Sequence, residues 1–299
     1  MSIIPSFPDS TELSYEHIPQ IQSFLIDNRY TISEYSVASL IPFTHKRGYT
    51  VSRYVHEHGK DAYLFIGKEK DYRFAMIPAG YPGKIIMNEL KTMVYEVNTI
   101  ARELTDQWME GMRKDGFLCT IDEDRDNADY LYDRQSLIDL SGQVLHKKMA
   151  HVNRFIKDHP ERILLPTHIA PEKDMITVLD AWAEGKASVE DYDATRFAIE
   201  HREALSLTGY VLYSQDNPIA FTLGELASED TFIVHIEKAL TTYKGVYQYI
   251  NRAAVSLLPE GIQTINREQD LGIPGLRQAK MTYQPKGFLM KYRLRFDES

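Results

Sequence analysis

The chain has 299 residues, of which 43% are hydrophobic and 26% are charged, as in a folded globular protein with a sizeable core. This composition excludes extensive disorder. The net charge of −9, from 34 basic and 43 acidic residues, excludes a protein that coats nucleic acid generally, although a local basic groove is compatible with it. The length predicts about two domains.

Cys119 is the one cysteine of the chain, which excludes an internal disulfide and a cysteine-cluster metal site. It lies in an apolar run, and we interpret it as a buried, inert thiol. The ten histidines form no compact ligand set, so we expect no metal. The N-terminus has no basic and apolar leader pattern, and no run approaches ~18 apolar residues. We therefore expect no secretory leader and no integral membrane segment, and we expect a cytoplasmic protein.

The first third of the chain alternates between helical and strand-like patterns. A short helix is predicted over 18–26, and a long one over 86–104, where apolar residues recur at spacings of 3 and 4. Between these helices, turn-prone and charged residues separate three strands of a predicted antiparallel meander, over 51–56, 62–67 and 73–78. A helix over 106–114, a strand over 117–121 and a solvated acidic turn over 122–129 follow.

The pattern starts again near residue 141, and we predict domains 1–136 and 137–299. Helices are predicted in the second half over 146–156, 175–182 and 189–205 and after Gly245. Strands are predicted over 163–169, 210–213, 219–226, 231–240, 264–266 and 288–296. Both halves share one order, which predicts an α+β fold of two tandem domains with mixed, largely antiparallel sheets flanked by helices. It is also the order of the Gcn5-related N-acetyltransferase-like (acyl-CoA N-acyltransferase) fold, in which a cofactor lies where two central strands splay.

The densest polar cluster lies between residues 266 and 280. It contains five charged groups within fourteen positions: Arg267, Glu268, Asp270, Arg277 and Lys280. Such a network either locks a loop or positions a polar substrate, and arginine is suited to bidentate binding of carboxylate or phosphate.

Two further candidate sites lie near the end of the predicted strand over 231–240. His235 and Glu237 share one face of the strand over 231–240, and Glu237 is either a general base or half of a buried ion pair. Lys244 and Gly245 precede a helix whose first N–H groups suit a phosphate, although a glycine at such a turn is common. The acyl-coenzyme A loop usually has a small residue where this chain has Tyr247.

A basic stripe is predicted on the helix over 146–156. It consists of Lys147, Lys148, His151 and Arg154. The stripe either binds phosphates of a tRNA or a lipid headgroup, or is the solvated face of an amphipathic helix.

Three segments together resemble one known family. They are the run from Asn266 to Lys280, the Asp-Leu-Ser-Gly turn at 139–142 with Lys147 and Lys148, and the His-Ile-Glu-Lys-Ala strand at 235–239. The sequence is similar to the family built on the C-terminal domain of phosphatidylglycerol lysyltransferase, and most similar to its stand-alone bacterial branch. The resemblance implies two tandem acyltransferase-like domains, the first structural and the second carrying the site. Lysyltransferases of this kind move an aminoacyl group from aminoacyl-tRNA onto a lipid headgroup.

The resemblance also implies which side chains line the site. They are Glu237, Tyr247, Asn266, Arg267, Glu268, Asp270, Arg277 and Lys280. Glu237 would accept the proton of the acceptor, and Tyr247 or Tyr283 would return one to the leaving group. Arg267 and Arg277 would hold a phosphate or carboxylate.

The expected function is transfer of an acyl or aminoacyl group to an amine or hydroxyl of a small molecule or lipid headgroup. No cofactor is required, since acyl-CoA or aminoacyl-tRNA would serve as donor substrate. Two alternatives remain: an enzyme that depends specifically on aminoacyl-tRNA, and a non-catalytic module that binds a small ligand. The oligomeric state is left open.

Overall fold

The computed structural model describes residues 4–56, 59–184 and 191–297. The chain divides into two compact units, which we call unit 1 (1–128 and 289–299) and unit 2 (129–288). Each unit contains a seven-stranded mixed sheet with helices, which confirms the predicted α+β class. Residues 185–190 lie outside the described residues, and with them the start of the helix predicted over 189–205.

The described residues of unit 1 form seven strands and five α-helices. Its strands are β1 (Thr11–Glu12), β2 (Thr50–Val55), β3 (Asp61–Glu69), β4 (Tyr72–Met76), β5 (Glu96–Ala101), β6 (Cys119–Glu123) and β14 (Lys291–Phe296). Its helices are α1 (Ile18–Asn28), α2 (Val37–Leu40), α3 (Thr44–Arg47), α4 (Lys84–Met93) and α5 (Thr105–Asp115). The sheet order is β1-β2-β3-β4-β5-β14-β6, and β2, β3 and β4 form the predicted antiparallel meander.

Unit 2 has the same plan. Its strands are β7 (Asp129–Asp133), β8 (Ile163–Pro166), β9 (Thr208–Ser214), β10 (Asn217–Leu226), β11 (Thr231–Ala239), β12 (Thr264–Asn266) and β13 (Gly287–Leu289). Its helices are α6 (Arg134–Asp139), α7 (Gly142–Asp158), α8 (Glu172–Ala183), α9 (Tyr192–Glu200), α10 (Val246–Ser256) and α11 (Pro274–Met281). The sheet order is β13-β7-β12-β11-β10-β9-β8.

Local sequence signals account for several helix boundaries. Pro19 lies in the first turn of α1, where its missing N–H is not needed. The Asp133 side chain caps α6 by accepting a hydrogen bond from the backbone N–H of Ser136 at 2.8 Å. Helix α5 ends at Gly116, which adopts φ 81°, a left-handed conformation that glycine reaches without steric cost.

The helix predicted over 86–104 is wrong beyond Met93. Residues 96–101 form strand β5, which is buried along its length. Strand β5 has one extra residue relative to β14, because Val97 lies opposite Leu294 and Ile100 opposite Tyr292. This bulge, with Thr99 at φ 58°, places Val97 and Ile100 in the same core despite their spacing of three. A bulged strand can therefore imitate helical periodicity.

The structure places the unit boundary elsewhere than the expected 136/137, which falls inside α6. Strand β7 already belongs to unit 2, where Tyr132 lies opposite Ile265 of β12 and is buried in the core. The strand predicted over 288–296 consists of two strands in different sheets, because β13 lies in the sheet of unit 2 and β14 lies between β5 and β6 of unit 1.

The acidic segment over 122–129 is only partly solvated. Asp124 is buried and accepts a hydrogen bond from Arg293 Nε at 2.5 Å, and Asp129 is buried beside Asn266. Cys119 is half-buried rather than fully buried, and burial raises the pKa of its thiol, which keeps the thiol protonated and unreactive.

Strand β14 brings three cations into the sheet of unit 1, and each meets a carboxylate. Lys291 is fully buried and paired with Glu34. Arg293 NH1 and Arg295 Nε lie 3.1 and 3.2 Å from the buried carboxylate of Glu96. A buried charge is tolerated only when it is paired, so these contacts fix the place of β14 in the sheet.

We expect Lys291→Ala to reduce the free energy of unfolding by about 3–5 kcal/mol, because it removes the ammonium that neutralises the largely buried Glu34 carboxylate. Urea unfolding followed by circular dichroism measures this loss. The double variant Lys291→Met/Glu34→Gln should recover part of it. Arg154→Ala, which removes only an exposed pair with Asp158, is the control and should leave the midpoint unchanged. Equal midpoints for the two single variants would contradict the structural role of Lys291.

Candidate active site

The candidate site begins where strands β11 and β12 separate. The two strands pair in parallel over only three residues, Thr231–Ile233 with Thr264–Asn266. Strand β12 ends there, whereas β11 continues to Ala239 beside β10. Within the described part of unit 2, residues 234–239 therefore have a strand neighbour on one side, and the other edge is available to side chains and substrate.

A bulge shapes the same stretch of β11. The register with β10 passes from Leu223↔Ile236 to Gly224↔Val234, so His235 has no paired residue. Only glycine fits at position 224, because a Cβ there would lie 2.1 Å from the carbonyl oxygen of Ile233. Bulges of this kind redirect side chains next to functional sites.

Glu237 lies on the stretch of β11 that pairs only with β10, and its side chain is held from two elements. Arg267, directly after β12, donates from NH2 to Oε1 at 3.0 Å, and Asn251 of α10 donates from Nδ2 to Oε2 at 3.3 Å. The side chains of Glu237 and Arg267 are 11% and 18% exposed, so solvent reaches both only in part. Each carboxylate oxygen keeps free lone pairs for a further donor.

The loop after β12 is held by its own polar groups. Buried Asn266 donates to Asp129 at 2.9 Å and accepts from the backbone N–H of Glu268 at 2.8 Å. Buried Asp270 accepts from the Tyr130 hydroxyl at 2.5 Å and from Arg277 Nε at 2.8 Å. Burial opposes ionisation of Asp270, but these hydrogen bonds outweigh it and hold its pKa far below the ordinary value.

Lys280 closes this loop from α11. Its ammonium donates to three consecutive backbone carbonyls, those of Arg267 at 2.5 Å, Glu268 at 3.0 Å and Gln269 at 2.7 Å. Burial lowers the pKa of Lys280 to about 8. Asn266, Asp270, Arg277 and Lys280 thus bind polar groups of this loop and of strand β7, the arrangement of a locked loop.

His235 lies between two carboxylates. Its Nδ1 is 2.7 Å from Glu268 Oε1, and its Nε2 is 3.0 Å from Glu225 Oε1. Burial alone would lower the pKa of His235, but the hydrogen bonds to Glu225 and Glu268 outweigh it and raise the pKa to about 10. The imidazolium therefore links β10, the β11 bulge and the loop that carries Arg267.

Tyr283 forms an aromatic surface beside Arg267. Lys148 Nζ lies 4.4 Å from the centre of its ring, and Arg267 Cζ lies 5.5 Å from the same centre. Burial raises the pKa of Tyr283 to about 12, so the hydroxyl is protonated at neutral pH. The arrangement brings together Glu237, Arg267, Tyr283 and Lys148.

The start of α10 is closely packed. Gly245 adopts φ 89°, and a Cβ there would lie 2.3 Å from the carbonyl oxygen of His151 on α7. The Tyr247 hydroxyl accepts hydrogen bonds from Trp182 Nε1 at 3.1 Å and from the backbone N–H of Ala239 at the end of β11. Burial raises the pKa of Tyr247. Tyr247 therefore lies along the unpaired edge of β11.

The other basic residues that the sequence predicts for phosphate binding do not contact Glu237. Lys147, His151, Arg154 and Lys244 are exposed, and Arg154 pairs with Asp158 of the same helix at 3.4 Å. Sequence reasoning missed Asn251, although it lies four residues after Tyr247, one helical turn away, as a polar residue on an apolar face. It also missed Glu225, on the neighbouring strand, which no local pattern connects to His235.

The described residues contain no group of three or more His, Cys, Asp or Glu side chains arranged to hold a metal ion. Nor is any helix among them long and apolar enough to cross a membrane.

Two mixed sheets flanked by helices, each with a splayed parallel pair next to a meander, define a tandem Gcn5-related N-acetyltransferase-like fold, as predicted. The chain belongs to the family described as phosphatidylglycerol lysyltransferase, C-terminal, which matches residues 28–295. It is similar to a conserved protein of unknown function from Bacteroides thetaiotaomicron, with a TM-score of 0.81 and 25% identity over 96% of this chain and 99% of that one.

More distant similarity supports the fold alone. The L-PGS structure from Bacillus licheniformis has a TM-score of 0.57 and 13% identity, covering 86% of this chain and 91% of that one.

Sequence comparison also finds a partial relative. An uncharacterized protein of Mycoplasmoides gallisepticum is 25% identical over 175 residues, 56% of this chain. The chain spans 55% of the length of that relative.

The raised pKa of His235 predicts a pH dependence of stability. Because the folded-state pKa of about 10 exceeds the ordinary 6.5, the stabilisation is complete below pH 6.5 and is lost as the pH rises toward 10. Between pH 6.5 and 7.5, below the pKa of about 8 of Lys280, wild-type protein should lose about 1 kcal/mol from this group, and His235→Gln should not. Urea unfolding at several pH values measures the two slopes.

His146→Gln is the matched control for this measurement, because His146 is exposed, and it should keep the wild-type slope. Parallel slopes for wild type and His235→Gln would show that His235 is not held as an imidazolium.

Proposed function

We propose that the chain is a transferase that moves an acyl or aminoacyl group onto an amine or hydroxyl, with Glu237 as the group that accepts the proton of the nucleophile. The observation that carries this proposal is the position of Glu237 on β11 beyond the end of its pairing with β12, where Arg267 and Asn251 orient its carboxylate. A carboxylate that is oriented, partly exposed and next to a strand opening suits general base catalysis. Membership of a family named for a lysyltransferase supports the same class of reaction.

In the proposed reaction the protein supplies mainly orientation. The acceptor amine or hydroxyl attacks the carbonyl carbon of the donor while Glu237 takes its proton. A protonated tyrosine, Tyr247 or Tyr283, then donates a proton to the leaving oxygen or sulfur. Holding the two reactants in the right geometry supplies most of the acceleration in such a transfer, and a nearby cation stabilises the developing oxyanion.

The position of Tyr247 bears on the choice of donor. Its hydroxyl occupies the N–H of Ala239 at the unpaired edge of β11, and its ring stands at the start of α10. An acyl-CoA bound along that edge would have to displace Tyr247. We therefore favour an aminoacyl ester, as in aminoacyl-tRNA, over acyl-CoA, and a small amine or a lipid headgroup as acceptor. A donor of this kind agrees with the expected cytoplasmic location.

The position of Tyr247 also favours one alternative, a non-catalytic module that binds a small polar ligand. This alternative predicts ligand-dependent thermal stabilisation without any product. Formation of a product would exclude it.

The test is transfer of radiolabelled amino acid from charged tRNA, and of acetyl from acetyl-CoA, to amines and to phosphatidylglycerol vesicles. We expect product from charged tRNA, and we expect Glu237→Gln to lower kcat by about 10²–10⁴-fold, because the amide cannot take the proton. Glu260→Gln, at an exposed position, is the matched control. Turnover of Glu237→Gln equal to that of wild type would remove Glu237 as the base, and product from neither donor would contradict the proposed reaction.

A further inference from the structure

Lys148 has an unusual environment for a lysine. It lies on α7, half-buried, with its ammonium over the ring of Tyr283 at 4.4 Å. Within residues 4–56, 59–184 and 191–297 it has no hydrogen bond to an acceptor and no carboxylate partner. Its neighbour on the helix, Lys147, extends into solvent instead. The sequence placed both in one basic stripe, and the structure separates them.

Arg267 adds a second cation to the same place. Its guanidinium carbon is 5.5 Å from the centre of the Tyr283 ring, and one of its terminal nitrogens binds Glu237. Burial lowers the pKa of Lys148, and repulsion by Arg267 lowers it further. Arg267 pairs with Glu237, so the Lys148 ammonium adds a second positive charge in a partly dehydrated position.

A partly desolvated excess positive charge raises the free energy of the folded protein unless a negative charge neutralises it. Removal from water penalises an ammonium, and a neighbouring guanidinium adds repulsion. Other cations of unit 2 have partners within the chain: Lys238 pairs with Asp191, Arg277 with Asp270 and His235 with two glutamates, and Lys280 binds three backbone carbonyls. Lys148 has no such acceptor among the described residues, so an anion from outside the chain would stabilise it.

We propose that Lys148 and Arg267, which both lie beside the Tyr283 ring, form a binding site for an oxyanion, a phosphate or carboxylate group. Lysine supplies three rotatable donors and the guanidinium supplies further N–H groups beyond the one on Glu237. The aromatic ring provides the apolar wall that keeps the site partly dry, which strengthens the charge interaction.

The ligand belongs to a substrate if the proposed function is correct, and this assignment rests on that function. Arg267 contacts both the oxyanion site and Glu237, so the bound oxyanion lies beside the reacting groups. Its source is then either the terminal phosphodiester of an aminoacyl-tRNA donor or the phosphodiester of a headgroup acceptor. Both present the same chemistry to Lys148.

The first experiment follows the Nζ titration of Lys148 by NMR of protein labelled with ¹³C at the lysine Cε, in sodium phosphate and in sodium chloride of equal ionic strength. Phosphate should raise the pKa of Lys148 by half a pH unit or more, because a bound anion cancels the repulsion of Arg267. The exposed Lys157 on the same helix provides the internal control and should titrate equally in both salts. Equal titration of Lys148 in both salts would overturn the proposal.

A second experiment measures phosphate affinity by calorimetry. Lys148→Gln should weaken binding of inorganic phosphate at least tenfold, whereas Lys157→Gln should not change it. Unchanged binding in Lys148→Gln would also overturn the proposal, and a circular dichroism spectrum of the variant confirms that it is folded.

Competition then separates the two sources. A short oligonucleotide that ends in CCA and glycerophosphoglycerol are each titrated against bound phosphate. The one that displaces phosphate at the lower concentration identifies the substrate that the site holds, and displacement by neither would overturn the assignment to a substrate. None of these measurements requires turnover, so absence of transfer would contradict the proposed function alone.

Discussion

The candidate site depends on a parallel strand pairing that stops after three residues. Because the pairing of β12 with β11 ends at Asn266, the loop that follows leaves β11, while its first residues, Arg267 and Glu268, bond the backbone of Tyr130 on β7. The backbone groups of the loop need partners, and the Lys280 ammonium supplies them for three carbonyls. The position of Arg267 opposite Glu237 follows from this geometry, since Arg267 is the first residue past the end of the strand.

The loop after β12 is held by ion pairs between oppositely charged side chains, and these pairs make the site rigid. The charged side chains of the run over 267–280 mostly form ion pairs that hold the loop in place. Asp270 pairs with Arg277 of the same run, and Glu268 pairs with His235 of β11. Fully satisfied networks of this kind are rigid, and a rigid loop is what a transfer reaction requires of the residues that orient its substrates. The pair of Lys148 and Arg267 is different, because its charge is not balanced within the site.

Much of the fold could be predicted because short-range sequence patterns determine its elements. The meanders follow from alternation and turn residues, and α7 and α10 from apolar residues at helical spacing. The bulge of β5 could not be predicted, since it gives Val97 and Ile100 a helix-like spacing. Nor could the places of β7 and β14, which depend on partners far along the chain. The sequence offers Glu237 and Arg267 as candidates, and the structure places them in contact. Periodicity alone does not tell which face of α7 is inward, so it does not distinguish Lys147 from Lys148.

The place of β14 has a consequence for how the protein is made. Unit 2 is contiguous, so its sheet can close as soon as residue 288 has been synthesised. The sheet of unit 1 cannot, because the strand between β5 and β6 is translated after the whole of unit 2. Until then the nascent chain carries two unpaired strand edges and the unneutralised carboxylates of Glu34 and Glu96, and such edges invite pairing with other chains. The half that is translated first is therefore the half that is completed last, and it is the half we expect to depend on chaperones.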